Sequence, residues 1–260
     1  MKFKYIALAA MFAGSQITIA QNTQVAASAL TPAQTQEIQA VIKNYLLNNP
    51  EILVEVSQKL QAKQNQEMQA QASSFIKQNA VQLLNEKIAV AGAQNPNVTI
   101  VEFFDYNCGH CIKMSPVISE LMKSNPQLRV IYRELPIFGE KSINASKAAL
   151  AAGMQGKYVQ MHDALFSLKN IDEKTILAEA RKLNLNMTKF QDDMKSKAVT
   201  EELAANRQLA EQMKLMGTPV FIVMATPNGQ PHATVQPVMI PGSTSLSNLQ
   251  NVVKTVAEAK

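Results

Sequence analysis

The only two cysteines of this chain, Cys108 and Cys111, are three residues apart and enclose a glycine and a histidine, Gly109 and His110. A strongly apolar run over residues 98–104 leads into them, and a helix-like pattern follows. On a helix, side chains at positions i and i+3 face the same side, at a separation that suits a disulfide. A strand, a sharp turn and a Cys-x-x-Cys pair at a helix start are together typical of a dithiol/disulfide redox site.

The two thiols are expected to differ in reactivity. Cys108 would lie at the N-terminus of the helix, where unpaired amide groups and the helix dipole stabilise a thiolate and lower its pKa. A protonated His110 would stabilise the same thiolate, whereas Cys111 lies one turn further in and is less exposed. We therefore predict that Cys108 exchanges with external thiols and that Cys111 resolves the mixed disulfide. A stabilised thiolate favours the reduced form, so the disulfide would act as an oxidant.

Other interpretations of the cysteine pair are open. A purely structural disulfide would add little stability, because closing so short a loop removes little entropy from the unfolded chain. A zinc site needs two more ligands, and His162 and His232 have no ligand-like spacing, so two chains would have to combine their cysteines. An inert buried pair fits poorly with a glycine and a histidine between the cysteines. We therefore predict no metal and no other cofactor.

The first twenty residues have the features of a secretory signal peptide. Lys2 and Lys4 provide a positive start, residues 5–13 are apolar, and cleavage is expected near Ala20. An uncleaved membrane anchor is the alternative, but the apolar run is shorter than the roughly 20 residues of a spanning helix. Export would bring the cysteines into an oxidising compartment, where disulfides persist. We therefore predict a periplasmic protein, with residues 1–20 removed.

The charge pattern argues against nucleic acid as a partner. The formal net charge is +5, but no basic run is interleaved with aromatic residues. No glycine-rich phosphate loop is present either, since the nine glycines are scattered along the chain.

Residues 21–90 are predicted to form a helical arm. Thr31 and Pro32 are typical of a helix start, and one apolar stripe follows, made of Ile38, Val41, Ile42, Tyr45 and Leu46. Pro50 ends this helix and Glu51 begins another, which becomes polar on all sides beyond Leu60 and would act as a stalk. Short amphipathic helices are marginal in water unless their stripe is buried. The arm would either pair with a second copy of the chain or fold back on the main domain.

Residues 91–260 are predicted to form one α/β domain, opening with a loop at residues 91–96. Its expected strands are residues 98–104, 128–135, 220–224 and 232–240. The first two flank the helix after the cysteines, and such a β-α-β unit favours parallel strands and a right-handed crossover. Residues of about 140–215 form a helical insertion. The last two strands are joined by a short turn and are hence antiparallel, and a final amphipathic helix follows them.

Two motifs in this domain resemble those of the DsbA branch of the thioredoxin-fold superfamily. Residues 101–111, Val-Glu-Phe-Phe-Asp-Tyr-Asn-Cys-Gly-His-Cys, are similar to its active-site signature, and residues 217–223, Gly-Thr-Pro-Val-Phe-Ile-Val, to its cis-proline loop. Residues 148–165 resemble its inserted helical domain. Residues 45–51, Tyr-Leu-Leu-Asn-Asn-Pro-Glu, resemble the dimerisation region of the Com1-like and ScsC-like members. The resemblance implies a thioredoxin fold (β-α-β, inserted helices, β-β-α) preceded by an α-helical oligomerisation arm.

The resemblance also implies roles for individual residues. Cys108 would be the nucleophile and Cys111 the resolving thiol of a redox-active disulfide. Pro219 would be cis and packed against this disulfide, with Thr218 offering its backbone to an extended substrate. Glu102 would be a buried acid with a raised pKa that helps to move the proton of Cys111; the alternative is a surface carboxylate on an edge strand. His162, in the insertion, is expected to be structural.

The implied function is that of a periplasmic protein thiol-disulfide oxidoreductase. Gly109 stands where the simplest family members have a proline, and Thr218 before the cis-proline is shared with disulfide isomerases. Together with the arm, these departures predict a homodimer that introduces disulfides into exported proteins and isomerises misoxidised ones, recharged by a membrane redox partner. A chaperone-like binding protein with secondary redox activity and a periplasmic disulfide reductase are the alternatives.

Overall fold

The computed structural model describes residues 30–86 and 88–259, so the predicted signal peptide lies outside the described residues. Contacts divide the chain into two units, residues 1–59 and residues 60–260. Residues 60–90, which the sequence placed with the arm, lie in the unit that contains the sheet. No helix in the described ranges combines the length and the apolar character that a membrane crossing requires.

The described part of the first unit is helical. Helix α1 spans Pro32–Asn48, and α2, Glu51–Gln78, begins in this unit. The side chain of Thr31 accepts a hydrogen bond from the Gln34 amide, and Gln34 returns one to the Thr31 backbone, which forms the capping box of α1. Four residues of the predicted apolar stripe are solvent-exposed, Ile38, Val41, Ile42 and Tyr45, while Leu46 is half-buried. Further exposed apolar side chains are Leu47 of α1 and Leu53, Val54 and Val56 at the start of α2.

The strands that the structure describes form one mixed sheet. They are β1 Val90–Gly92, β2 Val98–Phe104, β3 Leu128–Glu134, β4 Val220–Ala225 and β5 Val238–Pro241, in the spatial order β1-β3-β2-β4-β5. Strands β2 and β3 are parallel and the remaining pairs are antiparallel. All residues of β2 are buried, which confirms the prediction of a central strand covered on both faces.

The helices of the second unit follow the predicted order. They are α3 Ala80–Leu84, α4 Gly109–Ser124, α5 Glu140–Gly153, α6 Tyr158–Ser167, α7 Glu173–Lys182, α8 Met187–Met194, α9 Lys197–Gln212 and α10 Leu246–Glu258. Helices α5 to α9 correspond to the predicted helical insertion. The β-α-β unit, the insertion and the final β-β-α segment form the expected thioredoxin fold.

Two details of the sheet differ from the prediction. The loop predicted at residues 91–96 begins with the last two residues of β1, whose three residues give too short a pattern to recognise. Gly92 is needed there, because its φ is +86° and a Cβ would lie 2.3 Å from the Leu128 carbonyl oxygen. The strand predicted over residues 232–240 is wrong for its first six residues, since β5 begins only at Val238. Pro237 lacks the amide proton that a longer ladder would need.

The two faces of the sheet are covered by different parts of the chain. Ile100 and Phe104 of β2 belong to the core that includes α4, α6 and α10. Val101 and Phe103 point to the opposite face, where a second core contains side chains from α3, α9 and the end of α2. The apolar residues that return near the end of the predicted stalk, such as Ile76, are therefore buried against the sheet. The cysteines lie on the first of these faces.

Candidate active site

The cysteines lie where the central strand ends. After β2, a turn over residues 105–107 leads to Cys108, which is the N-cap of α4, and Cys111 lies in the first turn of that helix. The Cys108 amide donates a hydrogen bond to the Asp105 carbonyl at 3.1 Å, and the Cys108 carbonyl accepts one from Ile112 at 3.0 Å. Both cysteines are present as free thiols. A buried strand thus fixes the position of a helix start that carries the dithiol.

The carboxylate of Asp105 holds the turn in place. Its Oδ1 accepts hydrogen bonds from the Asn107 amide and the Ser142 hydroxyl, both at 2.7 Å. Its Oδ2 accepts from the amides of Ile137 and Phe138 at 2.7 and 3.0 Å. The turn before the cysteines is therefore tied to the loop between β3 and α5. The side chains of Ile137 and Phe138, which this loop carries, are exposed.

The environments of the two thiols are unlike. Burial acts to raise the pKa of Cys108, but contacts with Thr218, with the amide and thiol of Cys111 and with the His110 amide outweigh it and hold the pKa below its ordinary value. Cys111 is completely buried, and burial is the main reason that its pKa lies well above the ordinary value. Near neutral pH, the outer thiol therefore ionises more readily than the inner one.

The cis-proline loop faces the outer thiol. The Thr218–Pro219 peptide bond is cis, and Cys108 Sγ donates a hydrogen bond to the Thr218 carbonyl at 3.3 Å. The structure therefore brings Thr218, 110 positions away in sequence, to the predicted nucleophile, and Pro219 is joined to Thr218 by the cis bond.

His110 lies on the exposed side of the helix start. Its Nδ1 is 3.0 Å from the hydroxyl oxygen of Ser243, a residue in the turn between β5 and α10. Ser243 could not be recognised in the sequence, because it is 133 positions from His110 and a serine after Pro241 and Gly242 belongs to no motif.

Glu102 is buried in the middle of β2, with 2% of its surface exposed. In register it lies opposite Tyr132 of β3 and Phe221 of β4, so the alternative of a surface carboxylate on an edge strand is wrong. Burial, followed by the nearby charge of Glu134, raises its pKa to about 8. It accepts no hydrogen bond from another described residue. Glu102 therefore holds a proton near neutral pH. Its side chain is on the same face of the sheet as the dithiol.

A second buried acid, Glu134 at the end of β3, was not recognised in the sequence. Its carboxylate accepts hydrogen bonds from the hydroxyls of Tyr158 at 2.7 Å, Ser146 at 2.7 Å and Tyr106 at 3.0 Å. Burial raises its pKa to about 8 even though these hydrogen bonds oppose the shift. Because Tyr106 belongs to the turn before the cysteines, Glu134 connects that turn to α5 and α6 of the insertion. The available signal was a carboxylate at the end of a predicted strand, whereas for Glu102 it was a carboxylate within an apolar run.

His162 extends this buried cluster. Its Nδ1 is 3.0 Å from the Tyr106 hydroxyl, and its ring packs against those of Phe104 and Tyr132. Burial lowers its pKa to about 3, so the ring is neutral in ordinary conditions. This environment agrees with the structural role predicted for it. Within residues 30–86 and 88–259, no cluster of three or more His, Cys, Asp or Glu side chains is placed to hold a metal ion.

Comparisons with known proteins cover most of the chain. The family model of the DSBA-like thioredoxin domain matches residues 99–254, and that of the copper resistance protein ScsC N-terminal domain matches residues 34–67. A solved thioredoxin-like oxidoreductase from Silicibacter pomeroyi DSS-3 is 36% identical, with a TM-score of 0.62, over 69% of this chain and 98% of that one. BcfH from Salmonella enterica Typhimurium is 30% identical, with a TM-score of 0.72, over 86% of this chain and 96% of that one.

The first curated relatives are longer proteins. Na(+)/H(+) antiporter NhaA 1 of Salinispora arenicola is 30% identical over 146 residues, which are 55% of this chain. The chain spans only 22% of the length of that antiporter. The similarity is therefore to one part of the antiporter.

Proposed function

This chain belongs to the family of DSBA-like thioredoxin domains, and from that premise we propose that it is an exported thiol-disulfide oxidoreductase acting through Cys108 and Cys111. The main support for the proposal is that the two thiols differ in burial and in the direction of their pKa shifts. Cys108 lies at a helix start beside the cis-proline loop with a lowered pKa, whereas Cys111 is buried with a raised pKa. This contrast suits an outer sulfur that forms mixed disulfides and an inner one that releases them.

The exchange reaction follows from these positions. A client thiolate attacks Sγ of Cys108 in the oxidised protein, the Cys108–Cys111 bond breaks, and Cys111 leaves as a thiolate that takes up a proton. A second client thiolate then attacks the client sulfur of the mixed disulfide and expels Cys108 as a stabilised thiolate. Two electrons pass from the client to the dithiol, and the client gains one disulfide. Glu102, protonated near neutral pH, is the proposed source of the proton for Cys111.

Client proteins would bind beside the dithiol in an extended conformation. Thr218 would pair its backbone with the client chain in the manner of an added strand. Exposed apolar side chains occur in the segments that adjoin the two cysteines and the cis-proline: Ile112, Ile137, Phe138 and Met216. Such surfaces favour unfolded or misoxidised proteins, whose apolar residues are still accessible. The predicted signal peptide would place this reaction in the periplasm, where a membrane redox partner would restore the disulfide.

Refolding assays test this function. The mature protein should reactivate reduced ribonuclease in the presence of an oxidant, and scrambled ribonuclease in a redox buffer. The Cys108→Ala variant should lose both activities, because no mixed disulfide can form at that position. If Cys108→Ala keeps full refolding activity, the protein is instead a chaperone-like binding protein. If alkylation of living cells traps the dithiol mainly in the reduced form, it is instead a reductase.

A homodimer is the proposed assembly, and it would hold two dithiols close enough to rearrange the disulfides of one client. The support is the row of exposed apolar side chains on α1 and the start of α2, in a region that matches the ScsC N-terminal domain. Light scattering of the mature protein should give twice the monomer mass. Val41→Asp should halve it by placing a charge in the apolar stripe, whereas Gln39→Asp, on the same helix, should not. A wild-type monomer or trimer would contradict the proposal.

A further inference from the structure

Three segments of the chain form a closed set of contacts around the outer thiol. Cys108 Sγ donates to the Thr218 carbonyl at 3.3 Å, and the next carbonyl, that of Pro219, accepts a hydrogen bond from the Gly242 amide at 2.8 Å. The residue after Gly242 is Ser243, whose hydroxyl lies 3.0 Å from His110 Nδ1. The contacts thus run from the cysteine helix to the cis-proline loop, on to the turn after β5, and back to the cysteine helix.

The backbone places Ser243 independently of its side chain. On one side, β5 pairs with β4 up to Pro241, which lies opposite Val220. Gly242 turns the chain with a φ of +79°, a conformation that suits glycine. On the other side, Ser245 caps α10 through its hydrogen bond with the Asn248 amide. The hydroxyl of Ser243 is therefore presented to the histidine by a turn that is held at both ends.

We propose that Ser243 is a positioning residue for His110 and, through it, sets the reactivity of Cys108; this inference rests on the proposed function. An exposed imidazole without a partner samples several rotamers, so its charge is spread over many positions and screened by water. A serine hydroxyl can donate to the unprotonated Nδ1 and can accept from the Nδ1–H of an imidazolium. The contact therefore holds the ring in both protonation states.

The contact fixes where the ring lies, and hence where its positive charge lies whenever the ring is protonated. Among the described residues, no other side chain is hydrogen-bonded to His110. An imidazolium held in the first turn of α4 stabilises a thiolate at the start of the same turn. Ser243 thereby makes the reduced protein more stable and the disulfide more oxidising.

The test compares substitutions at Ser243 by the thiolate absorbance of Cys108 and by redox equilibrium with glutathione. Ser243→Ala should shift the equilibrium constant about twofold to threefold toward the protein disulfide, the size expected for one exposed charged contact. The thiolate fraction of Cys108 at a fixed pH should fall by a similar factor. Ser243→Thr, which keeps the hydroxyl, should behave like the wild type. Ser247→Ala removes a hydroxyl that contacts Ser245 rather than His110 and should change neither quantity.

A double substitution decides whether the effect passes through the histidine. In a His110→Ala background, Ser243→Ala should have no further effect on either quantity. A full effect in that background would overturn the proposal, because Ser243 would then act by another route. If His110→Ala shifts the equilibrium and Ser243→Ala does not, the proposal is also overturned, although the proposed function stands. A wild-type protein that fails to exchange with glutathione would instead refute the proposed function.

Discussion

Arg133 and Glu134 are neighbours on β3, and because side chains alternate along a strand they point to opposite faces of the sheet. Both are buried, with exposed fractions of 3% and 0%. Arg133 meets two carboxylates, those of Glu202 at 3.0 Å and Glu86 at 3.4 Å, and also the Asn206 side chain at 3.1 Å. The described hydrogen-bond partners of Glu134 are neutral hydroxyls. The same strand therefore carries a fixed charge on one face and a titrating group on the face of the dithiol.

The two neighbouring residues therefore have different roles: Arg133 anchors other segments to the sheet, and Glu134 can exchange a proton. An arginine stays protonated in all ordinary conditions. Arg133 also donates to the carbonyls of Gln82 and Leu83 in α3, both at 3.0 Å, so it fixes α3 and α9 to the sheet. A carboxylate without a cation binds its proton more tightly when it is buried. The acid on the dithiol face can therefore exchange a proton near neutral pH, where thiol exchange takes place.

The largest effect is expected from removing the anchor. Arg133→Met would remove the buried cation that Glu86 and Glu202 contact, and removing one member of a buried ion pair typically costs about 4 kcal/mol. Urea unfolding of the variant measures this loss. Arg207→Met, which breaks an exposed pair with Glu211, should cost about 1 kcal/mol or less. Equal losses in the two variants would show that the buried network is no anchor.

The second expected effect is a dependence of stability on pH to which two buried acids on the dithiol face contribute. Glu102 and Glu134 have a pKa of about 8 in the folded chain against an ordinary value of 4.5. Between these values the folded state binds more protons at these two sites than the unfolded state does, so the stability that the two acids contribute is complete below about pH 4.5 and is lost as the pH rises toward 8. We therefore expect the melting temperature to fall as the pH rises across this window.

Melting temperatures at several pH values test this expectation. Glu134→Gln keeps an acceptor for the three hydroxyls but removes the titrating proton, so it should flatten part of the decline between pH 4.5 and 8. Burial lowers the pKa of His162 from 6.5 to about 3. This residue therefore makes stability fall as the pH drops from 6.5 toward 3, which is separate from the decline caused by the two acids at higher pH. An unchanged slope in Glu134→Gln would mean that Glu134 does not titrate in this range.

Local patterns were enough to predict much of the fold. The apolar run of β2, the helix that follows the cysteines and the start at Thr31 each depend on neighbouring residues, and the structure has all three. Strand β1 could not be predicted, because its three residues are stabilised by pairing with β3. Part of the site was hidden for the same reason. The partners of Arg133, Glu134 and His110 lie 12 to 133 positions away, and only the folded chain brings them together.

The smallest effect is expected from removing one of the hydroxyl groups that donate to Glu134. This change is also the sharpest test of what controls the proton on Glu134. Tyr158→Phe deletes the hydrogen bond of 2.7 Å to the Glu134 carboxylate, which should cost about 1 kcal/mol. Because that bond favours the charged form, its loss should raise the pKa of Glu134 further and extend the decline of stability to higher pH. Tyr132→Phe is the matched control, since Tyr132 is buried on the same face but makes no hydrogen bond to Glu134. If both variants shift the decline of stability to higher pH by the same amount, the hydroxyl network does not control the proton on Glu134.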